Sequence, residues 1–187
     1  MKTLLAYFVL VFALLTSFSA HSQENSSCGL LTSEALDAGD LTSSVDLILV
    51  SKADRKMIVF NGGRALKQYH VSLGFTPVGA KTRSGDGKTP EGKYFVDYKN
   101  PESAYHLSLL VSYPNTQDLE RARRLKVDPG GNIMIHGFPN ESSAKATAAT
   151  THNTTADWTQ GCVGVTDSEI EEIFSHTEEG TAIEICP

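Results

Sequence analysis

The sequence predicts a mainly β domain, a curved sandwich or barrel carrying two or three short helices. Three observations lead there. Runs of β-branched and aromatic residues outnumber segments with helical apolar spacing. No strand–helix–strand rhythm of a parallel α/β sheet appears along the chain. Asn61-Gly62-Gly63 joins two of the apolar runs in the manner of a hairpin turn.

The elements follow in order. Lys2, the apolar run Leu4 to Leu15 and the mostly small residues from Thr16 to Ser22 have the pattern of an export signal over 1–22. That run is shorter than the roughly 20 residues a bilayer-spanning helix needs, so it is expected to be cleaved, with no stable membrane insertion afterwards. Residues 23–44, rich in Ser, Thr, Asp and Gly, read as a lead-in to a single domain over 45–187. Val45 to Val50 and Lys56 to Phe60 are expected strands separated by a polar turn, and Ala65 to Leu73 continues as a third. Gly74 to Gly92 is a loop crowded with Gly, Pro, Lys and Asp, long enough to be functional or mobile.

Tyr94 to Val96 and His106 to Val111 are further strands, and Asp118 to Leu125 a short helix. Gly130-Gly131 breaks the chain before a strand, Asn132 to Ile135, that delivers His136 at its end. Pro139 to Asp157 lacks a steady apolar period and reads as a flap or loop, with room for a short helix over Ala144 to Ala149. Thr166 and Glu169 have the spacing of a capping box ahead of Ile170, Ile173 and Phe174. Gly180 is expected to stop that helix before a closing strand, Thr181 to Ile185.

Composition bounds the function. After the signal roughly 165 residues remain, enough for one domain with a single core. The formal charge of −6 becomes more negative once Lys2 is removed, which disfavours phosphate backbones and anionic lipids as partners. Nucleic acid is therefore not an expected ligand.

Cysteine usage is more informative. Three cysteines in an exported chain leave one over when two pair. Cys28 and Cys186 lie near the ends of the mature chain, and domain termini are often close in space, so a Cys28–Cys186 disulfide is the plausible pairing. Cys162 is then a free thiol within Asp157-Trp158-Thr159-Gln160-Gly161-Cys162-Val163-Gly164. A lone cysteine is commonly a buried core residue, but this one follows a glycine and comes downstream of an apolar strand ending in His136-Gly137. An ordinary thiol is mostly protonated at neutral pH, and an imidazole that accepts its proton makes it a nucleophile. His136 is the candidate base, and a main-chain carbonyl is a candidate to orient it. Gly161 leaves room for the backbone N–H groups of Gly161 and Cys162 to meet a developing oxyanion. His70, His106, His152 and His176 show no metal-binding spacing, so a metal site is not expected.

These residues resemble the catalytic domain of L,D-transpeptidases, the YkuD-type fold, and its YafK-like branch in particular. The resemblance rests on His136-Gly137 and Thr159-Gln160-Gly161-Cys162, on Thr89-Pro90-Glu91-Gly92-Lys93-Tyr94, and on Ser112-Tyr113-Pro114-Asn115 with Pro129 to Gly137. It runs in order from about Val45 to Ile185. It implies Cys162 as nucleophile, His136 as base, the Gly137 carbonyl as the group orienting His136, and peptidoglycan stem peptides as substrate through a thioester. It also implies a bacterial protein of the periplasm or cell envelope whose chemistry needs no metal or other cofactor. Thr159, Gln160, Gly164 and Tyr113 are candidate substrate contacts. Gln160 replaces a usual histidine, and Gly164 stands where many members carry an arginine. The stretch between His136 and Cys162 is also longer than in many members, which suggests an inserted lid. Two outcomes stay open: transpeptidation, or hydrolysis as an endopeptidase, carboxypeptidase or amidase with the same Cys/His pair. A non-catalytic wall-binding module is a third class, and a papain-like protease is disfavoured because the histidine precedes the cysteine.

Overall fold

The computed structural model describes residues 27–32, 41–153 and 156–187. The expected export signal lies outside these residues, as does part of the lead-in. The described residues form eight strands: β1 (Val45–Ser51), β2 (Lys56–Asn61), β3 (Arg64–His70), β4 (Gly92–Ser103), β5 (His106–Val111), β6 (Met134–His136), β7 (Val163–Gly164) and β8 (Thr177–Cys186). Three α-helices accompany them among the described residues: α1 (Thr116–Leu125), α2 (Ser142–Asn153) and α3 (Asp167–His176). The strand order is β3-β2-β1-β8-β4-β5-β6-β7. All neighbours pair antiparallel except β1 with β8 and β6 with β7. The sheet curls until its ends meet, where Ser72 and Gly164 exchange N–H···O bonds of 2.9 and 2.8 Å. The mainly β, barrel-like architecture expected from the sequence is the one observed.

The core inside the curl is built from alternate residues of the long strands. Ile48 and Val50 of β1, Met57 and Val59 of β2, and Ile183 and Ile185 of β8 pack with Leu109, Ile135, Val163 and Ile170. Strand β1 reads as a continuous apolar run rather than a clean alternation because its other face is covered too. Leu49, Ile58, Phe60 and Cys186 form a second cluster against which Cys28 packs. Cys28 sits in a 3-10 turn, Ser27–Thr32, and is bonded to Cys186 with the Cα atoms 5.8 Å apart. This turn of the lead-in thus covers part of the outside of the sheet. No helix among the described residues is long and apolar enough to cross a membrane.

Four local expectations need correcting. The flap is largely a helix: α2 runs 12 residues, well beyond Ala144 to Ala149. Of its described side chains only Ala148 and His152 are buried, with Ala144, Ala149 and Thr151 half-buried, so no strong apolar period marks it. Instead Glu141 accepts the N–H of Ala144 at 2.7 Å, and Thr147, Thr150 and Thr151 donate back to carbonyls four residues earlier. Gly180 does not stop α3. That helix, capped by Thr166 and Glu169 as expected, ends at His176, and β8 begins at once. Gly180 lies inside β8 at φ +88°, within an irregularity where pairing with β1 jumps from Val45↔Thr177 to Leu47↔Ala182. Strand β4 is 12 residues long, not the three of Tyr94 to Val96. Strand β6 starts only at Met134, because Asn132 takes a left-handed conformation at φ +54°.

Candidate active site

Two very short strands bring the thiol and the imidazole to one place. In the β6–β7 pair Ile135 faces Val163 and His136 faces Gly164. Side chains alternate along a strand, so Ile135 and Val163 point into the core while Met134, His136 and Cys162 share the opposite face. That face floors a cleft of about 740 Å³ lined by His136, Cys162, Met134 and Asn132, by Asn100, Ser103 and Tyr105 around the β4–β5 turn, and by Ser143, Ala144, Thr147 and Ala148 of α2. Among the described residues no Asp, Glu, Lys or Arg lines it.

His136 is buried. Its Nδ1–H donates to the Gly137 carbonyl at 2.6 Å, which fixes the tautomer and leaves Nε2 as the acceptor. Burial pushes its pKa below the ordinary imidazole value, partly offset by the Gly137 carbonyl. Cys162 is the free cysteine and half-buried, and its Sγ lies 3.6 Å from the Asn132 carbonyl, to which the thiol donates. Burial pushes its pKa up against the opposing Met134 backbone N–H. Both shifts run against the charged forms, imidazolium and thiolate, and burial is the cause of each. The left-handed turn at Asn132 aims that carbonyl at the sulfur. Asn after Gly130-Gly131 was the available sequence signal, since Asn tolerates this conformation.

The loop before the cysteine is held by one side chain. The buried Thr159 hydroxyl accepts the Gly161 N–H at 3.1 Å and donates to the Cys162 carbonyl at 2.7 Å. This corrects the expected oxyanion site: the Gly161 N–H is already engaged, which leaves Cys162 N–H of the two proposed donors. Gly161 has a different task. At φ +134° a Cβ would stand 2.6 Å from the Lys88 carbonyl, so only glycine lets the loop of residues 74–91 press on the cysteine turn.

Of the expected substrate contacts, Gln160 and Thr159 line the cleft. Tyr113 does not. Its ring is buried, its hydroxyl donates to the Pro129 carbonyl at 2.9 Å, and it borders a separate hollow. Gly164 is also not a lining residue; it lies beneath Trp158. Sequence reasoning missed Tyr105, whose ring centroid is 4.5 Å from that of His136, and the cleft-facing residues of α2. Among the described residues the metal-type donors that cluster are Cys28, Glu184 and Cys186, but both sulfurs there are consumed by the disulfide.

The fold agrees with comparisons to known proteins. The family model for the L,D-transpeptidase catalytic domain, YkuD, matches residues 45–185. A search among curated proteins finds no match. Among solved structures, the chain is similar to Pgp2 of Campylobacter jejuni, described as a helical cell shape determining protein. The TM-score is 0.55 at 22% identity, over 80% of this chain and 51% of that one. Bd1075 of Bdellovibrio bacteriovorus gives a TM-score of 0.51 at 27% identity, over 81% and 53%. An L,D-transpeptidase of Xylanimonas cellulosilytica gives 0.51 at 15% identity, over 82% and 64%. The chain thus spans less than two thirds of each of these proteins.

Proposed function

The chain belongs to the family of L,D-transpeptidase catalytic domains, and from that premise we propose that it is an exported cysteine acyltransferase of the bacterial cell envelope, forming a thioester with peptidoglycan stem peptides on Cys162. The observation that carries the reading is the Nδ1–H bond from His136 to the Gly137 carbonyl, in the cleft that Cys162 also lines. It presents Nε2 as the proton acceptor.

In this reading Nε2 takes the Sγ proton as sulfur attacks the amide carbon of the donor stem. Burial works against both charged forms, so the proton moves in step with the attack. Cys162 N–H meets the oxyanion. His136, now protonated, returns the proton to the leaving amine, and the thioester remains. An amine from a second stem, deprotonated by the same imidazole, then displaces sulfur and restores the thiol. Thr159 and Gln160 border the donor.

Hydrolysis is the second reading, and α2 is the observation in its favour. The Ala144–Ala148 face stands along one side of the cleft, where it restricts entry of a second peptide more than it restricts water. Incubation with a defined tetrapeptide stem, with and without an acceptor stem, followed by mass spectrometry, tests both. An acyl adduct on Cys162 and a crosslinked product support transfer, whereas a shortened stem alone supports hydrolysis. Product formation by Cys162→Ala would remove both readings.

A further inference from the structure

We propose that Trp158, seated over Gly164, is a positioning residue for His136, so that Gly164 serves the base and not the substrate. The proposal deepens the reading above and rests on His136 acting as the base.

Gly164 is the β7 residue opposite His136. A Cβ there would lie 2.8 Å from Cζ2 of Trp158 and 3.3 Å from Cε2, so the bare backbone is what lets the indole settle on the sheet. From that seat the indole meets the imidazole edge-on, with centroids 5.6 Å apart and planes at 71°. Tyr105 packs on the same imidazole at 4.5 Å. Aromatic pairs in such geometry are orientation-dependent as well as apolar. The indole seat is itself fixed. Asp157 accepts the Leu73 N–H at 2.8 Å and pairs with Arg55, Thr159 closes the next turn, and Phe138 packs on the indole at 6.3 Å.

The Gly137 carbonyl fixes one ring nitrogen but leaves the ring free to tilt about that bond. The Trp158 edge removes this freedom and excludes water, which also works against the imidazolium form. The titratable and charged groups near His136 are few. Cys162 and Tyr105 share the cleft. Beyond Gly137 lie Asp167, paired with Lys145, and His106, bonded to Glu171.

The test uses the mature enzyme with Gly164→Ala, Trp158→Phe and the double variant, following the His136 ring protons by NMR titration alongside steady-state kinetics. Gly164→Ala forces the indole out, and the His136 pKa should rise toward that of free imidazole. The acid limb of kcat should move to higher pH, and kcat should fall on the order of a hundredfold, the cost of an ångström of misplacement, with KM unchanged. Trp158→Phe makes room for the new methyl, so the double variant should recover part of the loss. A double variant no better than Gly164→Ala, or a His136 titration unchanged in both single variants, overturns the proposal. If Gly164→Ala does not fold, Trp158→Phe carries the same titration readout without a clash. Failure of the wild type to turn over any stem peptide would remove the functional reading, while the NMR titration would still decide this one.

Discussion

The part of the sheet built from β1, β2, β3 and β8 and the part built from β5, β6 and β7 share one apolar core but differ in what else fixes the chain. In the first, strands of six to ten residues bury Ile48, Val59 and Ile183 almost completely, each worth about 1.5–3 kcal/mol of transfer from water. In the second, β6 and β7 have only three and two residues. There the chain is fixed by side chains bonded to main chain: Asp157 to Leu73 N–H, Asp167 to Phe138 N–H, and Thr159 to both Gly161 and Cys162. Apolar burial is non-directional, so it stabilises without dictating where a thiol points. Hydrogen bonds contribute less each, about 0.5–1.5 kcal/mol, but they set angles. The shared core stabilises both parts, while the bonds that set the direction of the thiol belong to the short-strand part.

That contrast can be broken by substitution. Ile48→Ala should cost the most stability, about 2–5 kcal/mol, read by denaturant unfolding, while activity per folded molecule stays near wild type. Equal loss of both would mean the two parts are not separable. Asp157→Ala removes the acceptor for Leu73 N–H and strands the Arg55 guanidinium, which should cost about 2–3 kcal/mol and slow acylation of Cys162. Thr159→Val keeps the shape and loses two bonds. A stability loss of about 1–2 kcal/mol should accompany a much larger fall in acylation rate, measured by intact mass. A purely structural role would lower only the first.

Acid should find the short-strand part first. Burial holds the pKa of both His136 and His152 below the ordinary value, so on acidification the unfolded chain takes up these protons before the folded one does. Their contribution is complete above the unfolded imidazole value of about 6.5 and is lost as pH falls through that value toward the folded ones. His152 anchors α2 through Ser72, Nδ1 to Oγ 2.9 Å. Unfolding curves at about pH 7.5 and about pH 5 should therefore converge partly in His152→Gln, whose side chain does not titrate. The smallest effect belongs to Lys145→Ala. Its pair with Asp167 is half-exposed and should be worth at most about 1 kcal/mol.

What was legible in the sequence follows the same division. Strands β1, β2 and β5 announce themselves because bulk burial needs runs of β-branched and aliphatic residues, and α3 because Thr166 and Glu169 are a local chemical signal. Cys162 and His136 were legible as reactive types at strand ends. The α2 wall was not, because an apolar line made of Ala144 and Ala148 is too slight to show a period, and its hydroxyl back-bonds look like loop composition. Gly180 misled because a glycine inside a strand irregularity has the same appearance as one that ends a helix. Tyr113 was placed by motif, yet its hydroxyl is consumed by a carbonyl 16 residues away. The engagement of Gly161 N–H and the meeting of Trp158 with His136 depend on the register of β6 and β7, which two- and three-residue strands cannot advertise.

Because Cys28 is bonded to Cys186 and the chain has three cysteines in all, a folded, oxidised molecule presents a single sulfhydryl equivalent, and that equivalent is the proposed nucleophile. Colorimetric counting of accessible sulfhydryls is then a census of competent protein in a preparation: one per chain when intact, three when reduced and unfolded, and a fractional number when some molecules have lost the working sulfur to oxidation.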